Sequence, residues 1–208
     1  MKTLSKLTFA FAAVVLLFAS CMKDDNNNSN DYYEELLKEI ARRDSTLKAQ
    51  APLLRTYVMN PENGFTNPVL NDSTGIWFEV INEPTDTTYQ YRINSNNAWV
   101  TPMATVKYKG MLLNKTVFDE PSLPIELSII EGTQYQNGLI QAWPIAFRPK
   151  TINLNGKTYH TGLTEKGLKK GSKIRFVTPS IYGYDKSAQD KIPANSPLDF
   201  TIEVVDIK

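Results

Sequence analysis

The chain is poor in the residues on which most catalytic chemistry depends. Among 208 residues there is one histidine, His160, and one cysteine, Cys21. A lone histidine without a second His or Cys does not make a metal site of the usual kind, so neither metal nor cofactor is expected, and His160 reads as a surface residue. A single cysteine excludes an intrachain disulfide, which leaves the core alone to hold the fold. Excess charge is missing as well. The 23 Lys and Arg nearly balance 22 Asp and Glu, for a formal net charge of +1, which gives no electrostatic reason to expect nucleic acid as a partner. Two short motifs fail on context. Ser45-Thr46-Leu47-Lys48 fits S-x-x-K but lies in the polar end of a helical segment with no companion motif. Gly156-Lys157-Thr158 looks like the tail of a phosphate-binding loop, yet the earlier glycine position holds Thr151.

Long apolar runs are also scarce; one runs from Leu7 to Ala19, after Lys2 and Lys6. It is too short and too near the terminus for a comfortable membrane span. It ends in Phe18-Ala19-Ser20-Cys21, which resembles the lipobox of bacterial lipoproteins, with Phe18 where Leu is more usual. The expectation is a lipoprotein signal peptide over residues 1–20 and acyl chains on Cys21, which bind the chain to a membrane. Each buried methylene of such chains contributes about 0.8 kcal/mol, and more than one chain makes the anchor stable. Residues 21–31, with "MKDDNNNSND", are too polar to offset the entropy of ordering and are expected to be a flexible tether. Lys23-Asp24-Asp25 resembles the acidic export signal of surface-displayed lipoproteins in some Gram-negative bacteria. The expected location is the cell envelope, lipid-anchored at the outer membrane, facing either the periplasm or the surface.

The periodicity then predicts a helical segment and loop over residues 32–74. Asp31 suits an N-cap, Glu34 and Glu35 suit a first turn, and Tyr33, Leu36, Leu37, Ile40 and Leu47 fall near one face. A helix is predicted over about 32–50, with Pro52 separating a shorter piece at 53–59 and a loop over 60–74. From Gly75 the period becomes two. Ile76, Phe78 and Val80 predict one strand, and Tyr89, Tyr91 and Ile93 a second. Further strands are predicted at Val106 and Tyr108, at Ile125 to Ile129, at Ile174 and Phe176, and at Leu198 to Val204. One helix-like apolar segment, "GLIQAWPIAF", interrupts them. Short spacings leave no room for repeated parallel crossovers, so the class is α+β, a mostly antiparallel sheet with one helix on a face.

Four segments in order carry a family resemblance. "VKYKGMLLNKTVFDE" (106–120) resembles the V-x-Y-x-G-x-L, turn, F-D signature of FKBP-type peptidyl-prolyl isomerases. "LIQAW" (139–143) is similar to the family's V-I-x-G-W. "GLKKGSKIRFVTPSIYGY" (167–184) is similar to the stretch leading to its A-Y-G, and "IPANSPLDFTIEVVDI" (192–207) to its closing I-P-P segment and strand. The resemblance spans about 75–208. It implies a twisted antiparallel sheet wrapped around one short helix, with the pocket between them, preceded here by the N-terminal helix.

Carried over by position, the resemblance implies catalytic roles for Tyr108, Asp119, Ile140 and Tyr182. Asp119 would orient the Tyr108 hydroxyl, the Ile140 N–H would hold the substrate carbonyl, and the Tyr182 hydroxyl would meet the peptide. It implies that Phe118, Ile125, Leu139, Trp143, Ile192 and Phe200 line the substrate pocket, with Trp143 as floor. Proline-containing polypeptides are the implied partners. The chemistry accounts for the missing nucleophile: X-Pro rotation makes and breaks no bond. The barrier is amide resonance, roughly 18–20 kcal/mol, and uncatalysed exchange takes tens of seconds or more. An apolar pocket disfavours the polar planar amide relative to the twisted one, and a few fixed donors hold the carbonyl during rotation.

The sequence also departs from the family pattern. Ile125 replaces a common aromatic wall, Leu139 a usual Val, and "EPSL" after Asp119 is short. The hairpin turn reads Asn114-Lys115 instead of carrying Gly; a lysine at positive φ costs about 1 kcal/mol. The loop "YDKSAQDK" before Ile192 has no glycine. An insertion at about 147–165 holds "INLNGKTYH", predicted as a hairpin turning at Asn155-Gly156 and placed near the pocket rim. Two alternatives therefore stand beside the isomerase: a binding or chaperone module with little catalysis, and a structural subunit of a surface complex that uses the helix and the insertion as interfaces.

Overall fold

The computed structural model describes residues 28–94, 98–130, 139–154 and 156–208. The expectations for the signal segment, Cys21 and the acidic tripeptide lie outside the described residues. The elements in chain order are helix α1 (Asn28–Met59), a 3-10 turn (Pro61–Asn63), strands β1 (Val69–Asn71), β2 (Ile76–Asn82), β3 (Met103–Leu112), β4 (Val117–Asp119) and β5 (Ile125–Ser128), helix α2 (Ala142–Phe147), strands β6 (Thr151–Leu154), β7 (Lys157–His160) and β8 (Lys173–Thr178), a 3-10 turn (Ser180–Tyr182), and strand β9 (Leu198–Ile207). Every strand pair is antiparallel. The main sheet has seven strands in the order β1-β2-β8-β9-β3-β4, and β5 also pairs with β3.

Strand alternation sorts the sheet into two faces. Leu198, Phe200, Ile202 and Val204 of β9 join Ala104 and Val106 of β3 and Ile174 and Phe176 of β8 in one core, which also takes in Ala142, Trp143, Ala146 and Phe147 of α2. Val177 of β8 belongs to a second core with Leu54, Tyr57 and Val58 of α1, flanked by Phe65, Trp77 and Leu113. Asp199 of β9 is fully buried; it accepts hydrogen bonds from Tyr57 Oη at 2.8 Å, Arg175 Nε at 3.1 Å and Arg175 Nη2 at 2.6 Å. Arg175 also donates to the Asn63 carbonyl at 2.6 Å and lies 4.1 Å from the Phe65 ring centroid. Both oxygens of the buried carboxylate are thus hydrogen-bonded and its charge is paired, the condition under which such a charge is tolerated.

Several expectations need correction. Helix α1 begins at Asn28, so residues 28–31 are helix and not tether, and Asp31 serves as the acid of the first turn instead of the N-cap. Pro52 lies inside α1 and does not divide it. A proline there removes one backbone bond and costs about 3 kcal/mol in an isolated helix; burial of Gln50 before it and Leu54, Tyr57 and Val58 after it holds the helix through. The 32–41 stretch is another matter: Tyr32, Tyr33, Leu36 and Leu37 are exposed. The 60–74 loop contains a 3-10 turn and β1. The strand predicted at Tyr89 to Ile93 is absent apart from a single bridge between Ile93 and Trp99. Its alternation is real but serves packing: Tyr89 and Tyr91 meet edge to face at 5.1 Å, and Tyr91 Oη donates to the Leu168 carbonyl at 2.6 Å.

Replacing Tyr57 by Phe is expected to lower stability by about 2 kcal/mol at neutral pH, since it removes a hydrogen bond to a charged acceptor. Burial, and then the Asp199 charge, push the Tyr57 hydroxyl above its ordinary pKa. Above about pH 10 the unfolded chain therefore releases this proton first, and the stabilisation falls as pH rises. Urea unfolding of both proteins is expected to show their gap narrowing between about pH 9 and 11.5; a gap that widens would contradict the assignment.

Candidate functional site

The site is built where β3, β4, β9 and α2 meet. Tyr108 and Gly110 are two apart on β3 and face the same way, opposite Ile202 and Phe200 of β9. Gly110 also pairs with Asp119 of β4. A Cβ on Gly110 would lie 2.5 Å from Phe118 Cε2 and 2.9 Å from Phe200 Cε1. The missing side chain is what lets both rings settle on the strand. Phe118 and Phe200 meet edge to face at 5.5 Å, Phe200 and Trp143 at 5.8 Å, and Tyr108 and Trp143 at 5.0 Å. Trp143 and Phe200 are each only 3% exposed, whereas Tyr108 and Phe118 are half-buried, so the first pair forms a floor and the second a wall.

The polar edge is a tyrosine–carboxylate pair. Tyr108 Oη donates to Asp119 Oδ2 at 2.5 Å. Burial, followed by that bond, pushes the Tyr108 hydroxyl above the usual tyrosine range, so it stays a donor across the neutral range. Ile140 precedes α2; its carbonyl accepts from the Trp143 N–H at 3.0 Å, and among the described residues its own N–H has no acceptor. Leu139 N–H donates to the Ile130 carbonyl at 3.1 Å, which ties the start of this segment to the end of β5. Leu139, Ile140 and Ile125 are partly buried against the same core, and Ile192 is buried in it.

Tyr182 and its neighbour Tyr184 are both half-buried and packed against the main core. Tyr182 is half-buried, and the Arg43 guanidinium lies 5.9 Å from its ring centroid. Tyr184 is the tyrosine near the carboxylate: its hydroxyl is pushed up by burial and then by the Asp119 charge, and it acts on Tyr108 in turn. Sequence reading missed Tyr184. The signal was present in Tyr182-Gly183-Tyr184, but an aperiodic loop does not reveal that the second tyrosine packs on the core as well.

The insertion forms the predicted hairpin. Leu154 pairs with Lys157, a connection two residues long, and Gly156 has φ 74°. Its base hydrogen-bonds weakly to β1, Asn71 Nδ2 to the Gly162 carbonyl at 3.5 Å, and β1 lies at the opposite end of the strand order from β4. His160 is on β7, exposed, and not in a loop. At the β3–β4 turn the positive φ falls on Lys115, at 70°. Asn114 Oδ1 accepts from Thr116 N–H at 3.0 Å, and Lys115 Nζ donates to the Glu62 carbonyl at 3.2 Å. A cavity of about 250 Å³ lined by Tyr91, Trp99, Ile130, Phe147 and Arg148 adjoins this site through Phe147, stacked on Trp143 at 6.4 Å, and through Ile130, whose carbonyl holds Leu139.

The half-buried Tyr108 and Phe118 rings thus stand over the buried Trp143 and Phe200 rings, with the Tyr108 hydroxyl held by Asp119. The chain belongs to the FKBP-type peptidyl-prolyl cis-trans isomerase family, whose model matches residues 96–205, just over half of its length and the whole cluster from Tyr108 to Phe200. The chain is 36% identical over 116 residues to the FKBP-type peptidyl-prolyl cis-trans isomerase FkpA of Buchnera aphidicola subsp. Schizaphis graminum, covering 56% of this chain and 36% of that protein. It is 36% identical over 83 residues to FkpA of Escherichia coli strain K12, covering 39% of this chain and 28% of that one. The match thus spans about a third of the length of these curated relatives. Among solved structures, the crystal structure of FkpA from Escherichia coli aligns with a TM-score of 0.49 at 19% identity over 100% of this chain and 87% of that chain. A peptidyl-prolyl cis-trans isomerase from Pseudomonas syringae aligns with a TM-score of 0.48 at 22% identity over 79% of this chain and 95% of that chain.

Gly110→Ala is expected to expel Phe118 from the pocket wall and to destabilise the fold by about 1–3 kcal/mol, the usual range for overpacking. Loss of Phe118 ring contacts to Phe200 in NMR spectra of the folded variant would show it; unchanged contacts would refute the close approach.

Proposed function

We propose that this chain catalyses cis-trans isomerisation of X-Pro bonds in other polypeptides, with Tyr108, Phe118, Asp119, Ile140, Trp143 and Phe200 as the pocket. The observation that carries this reading is the assembly of Trp143, Phe200, Phe118 and Tyr108 into one edge-to-face cluster within the family-matched span. The proline ring lies on the Trp143–Phe200 floor. Desolvation there works against the planar, more polar amide and favours the twisted one. The Ile140 N–H holds the substrate carbonyl while the bond rotates, and Asp119 fixes the Tyr108 hydroxyl at the rim. The Tyr182 hydroxyl meets the bound peptide, with Arg43 over its ring, and Tyr184 packs on the core beside it. Leu139, Ile125 and Ile192 complete the wall. A barrier lowered by about 5 kcal/mol raises the rate between a thousandfold and ten-thousandfold.

The cell envelope is the proposed workplace, with Cys21 as the lipidated anchor. This rests on the sequence pattern alone: positive residues, a short apolar run, and small residues before the single cysteine. Proline-containing envelope or surface proteins are the corresponding substrates.

A protease-coupled assay of the full chain with a tetrapeptide holding one Leu-Pro bond tests the activity. Phe118→Ala and Asp119→Val are each expected to lower kcat/KM about tenfold, equivalent to about 1.4 kcal/mol of transition-state stabilisation. No acceleration by the wild-type chain would refute the activity, and unchanged rates in both variants would refute the site. For the anchor, the wild-type chain is expected to incorporate labelled palmitate and enter the detergent phase, and Cys21→Ser to do neither; an unlabelled wild-type chain would refute it.

A further inference from the structure

The loop 180–195 carries Tyr182, Tyr184 and Ile192 yet has no glycine after Gly183. Two of its residues nevertheless adopt left-handed backbone, Asp185 at φ 51° and Asn195 at φ 58°. Such a conformation is unfavourable for an L-residue, least so for Asp and Asn, and persists where surrounding contacts over-determine it. Within the loop, Asp185 N–H donates to the Ser180 carbonyl at 2.9 Å and Asn195 N–H to the Asp185 carbonyl at 2.6 Å, so Asp185 ties its two ends.

Further ties come from α1. Gln50 is 7% exposed and uses its whole amide on this loop. Its Oε1 accepts from Ser180 N–H at 2.8 Å, and its Nε2 donates to Ser180 Oγ at 2.9 Å and to the Asn195 carbonyl at 2.9 Å. One side chain therefore grips the first and last turns of the loop at once. Eight residues earlier on the same helix face, Arg42 forks onto the Asp185 carboxylate, Nη1 to Oδ1 at 3.0 Å and Nη2 to Oδ2 at 2.5 Å. The pair is mostly shielded, at 29% and 14% side-chain exposure. Bidentate geometry fixes orientation as well as distance.

We infer that Arg42 and Gln50 are positioning residues: by holding Ser180, Asp185 and Asn195 they set the place of Tyr184 and Ile192 in the pocket, and so the affinity for a prolyl peptide. Both residues lie outside the family-matched span of 96–205. The inference rests on the proposed function for its catalytic consequence, but not for its structural one. A helix that merely stabilised the fold would act through Leu54, Val58 and Tyr57, which pack with Val177, Phe65, Trp77 and Leu113 on the opposite face of the sheet.

The test compares Arg42→Met, Gln50→Leu and Arg42→Lys with Tyr57→Phe, all in the full chain. Arg42→Met and Gln50→Leu are expected to raise KM for the Leu-Pro tetrapeptide, and its Kd, about five- to tenfold with kcat changed less than about twofold. They are expected to speed amide exchange of residues 182–192 about tenfold or more, with the exchange of β3 and β9 little changed. Arg42→Lys keeps the charge without the fork and is expected to fall between. Tyr57→Phe is expected to lower global stability while leaving KM, Kd and loop exchange as in the wild type. Wild-type KM and loop exchange in both Arg42→Met and Gln50→Leu would overturn the inference, as would an equal rise in Tyr57→Phe. Should the wild-type chain bind the peptide without accelerating its isomerisation, the proposed activity falls, and Kd with loop exchange still decides for or against the positioning role.

Discussion

Adjacent residues on β9 hold the two halves of the molecule apart and in register. Phe200 faces the curved side of the sheet, where Trp143, Phe118 and Phe176 gather around it; Asp199 faces the other side, where Tyr57 and Arg175 close on its carboxylate. The strand period is two, so a slip of one residue would exchange these faces. It would put a carboxylate under an indole and a phenyl ring beside a guanidinium. The buried charge thus fixes register more than it adds stability, a role in keeping with the modest net worth of buried ion pairs.

That register places the pocket. Phe200 lies opposite Gly110, and the absent side chain there is filled by two rings, which turns a strand crossing into a floor and wall. The short β4 then brings Asp119 within a hydrogen bond of Tyr108. None of these contacts requires a reactive group. An aromatic receptor with a fixed edge donor is sufficient for a reaction whose barrier is conjugation and not bond strength.

What was legible from sequence follows the same logic. The period-two runs on β3, β5, β8 and β9 were readable because one face of each is buried. The pocket cluster was readable only through the family resemblance, whose motifs fall on Tyr108, Phe118, Asp119, Trp143 and Phe200. Three features were not. The path of α1 through Pro52 depends on partners more than a hundred residues away, such as Ser180 and Asp199. The tyrosines at 89 and 91 alternate like a strand, but their backbone finds no edge to pair with, and side-chain packing produces the same pattern. Tyr182 and Tyr184 flank a glycine in an irregular loop, where no period assigns a direction. In each case distant contacts decide the outcome, and local pattern is silent about them.

Tyr57 and Arg42 stand well upstream of residues 96–205, which the family model matches, and β2 also precedes them. A molecule trimmed to the recognisable segment would leave Val177 uncovered and deprive Asp199 of one of its donors. The cooperative unit therefore reaches beyond the matched residues, and α1 from Arg42 to Tyr57 is part of its architecture.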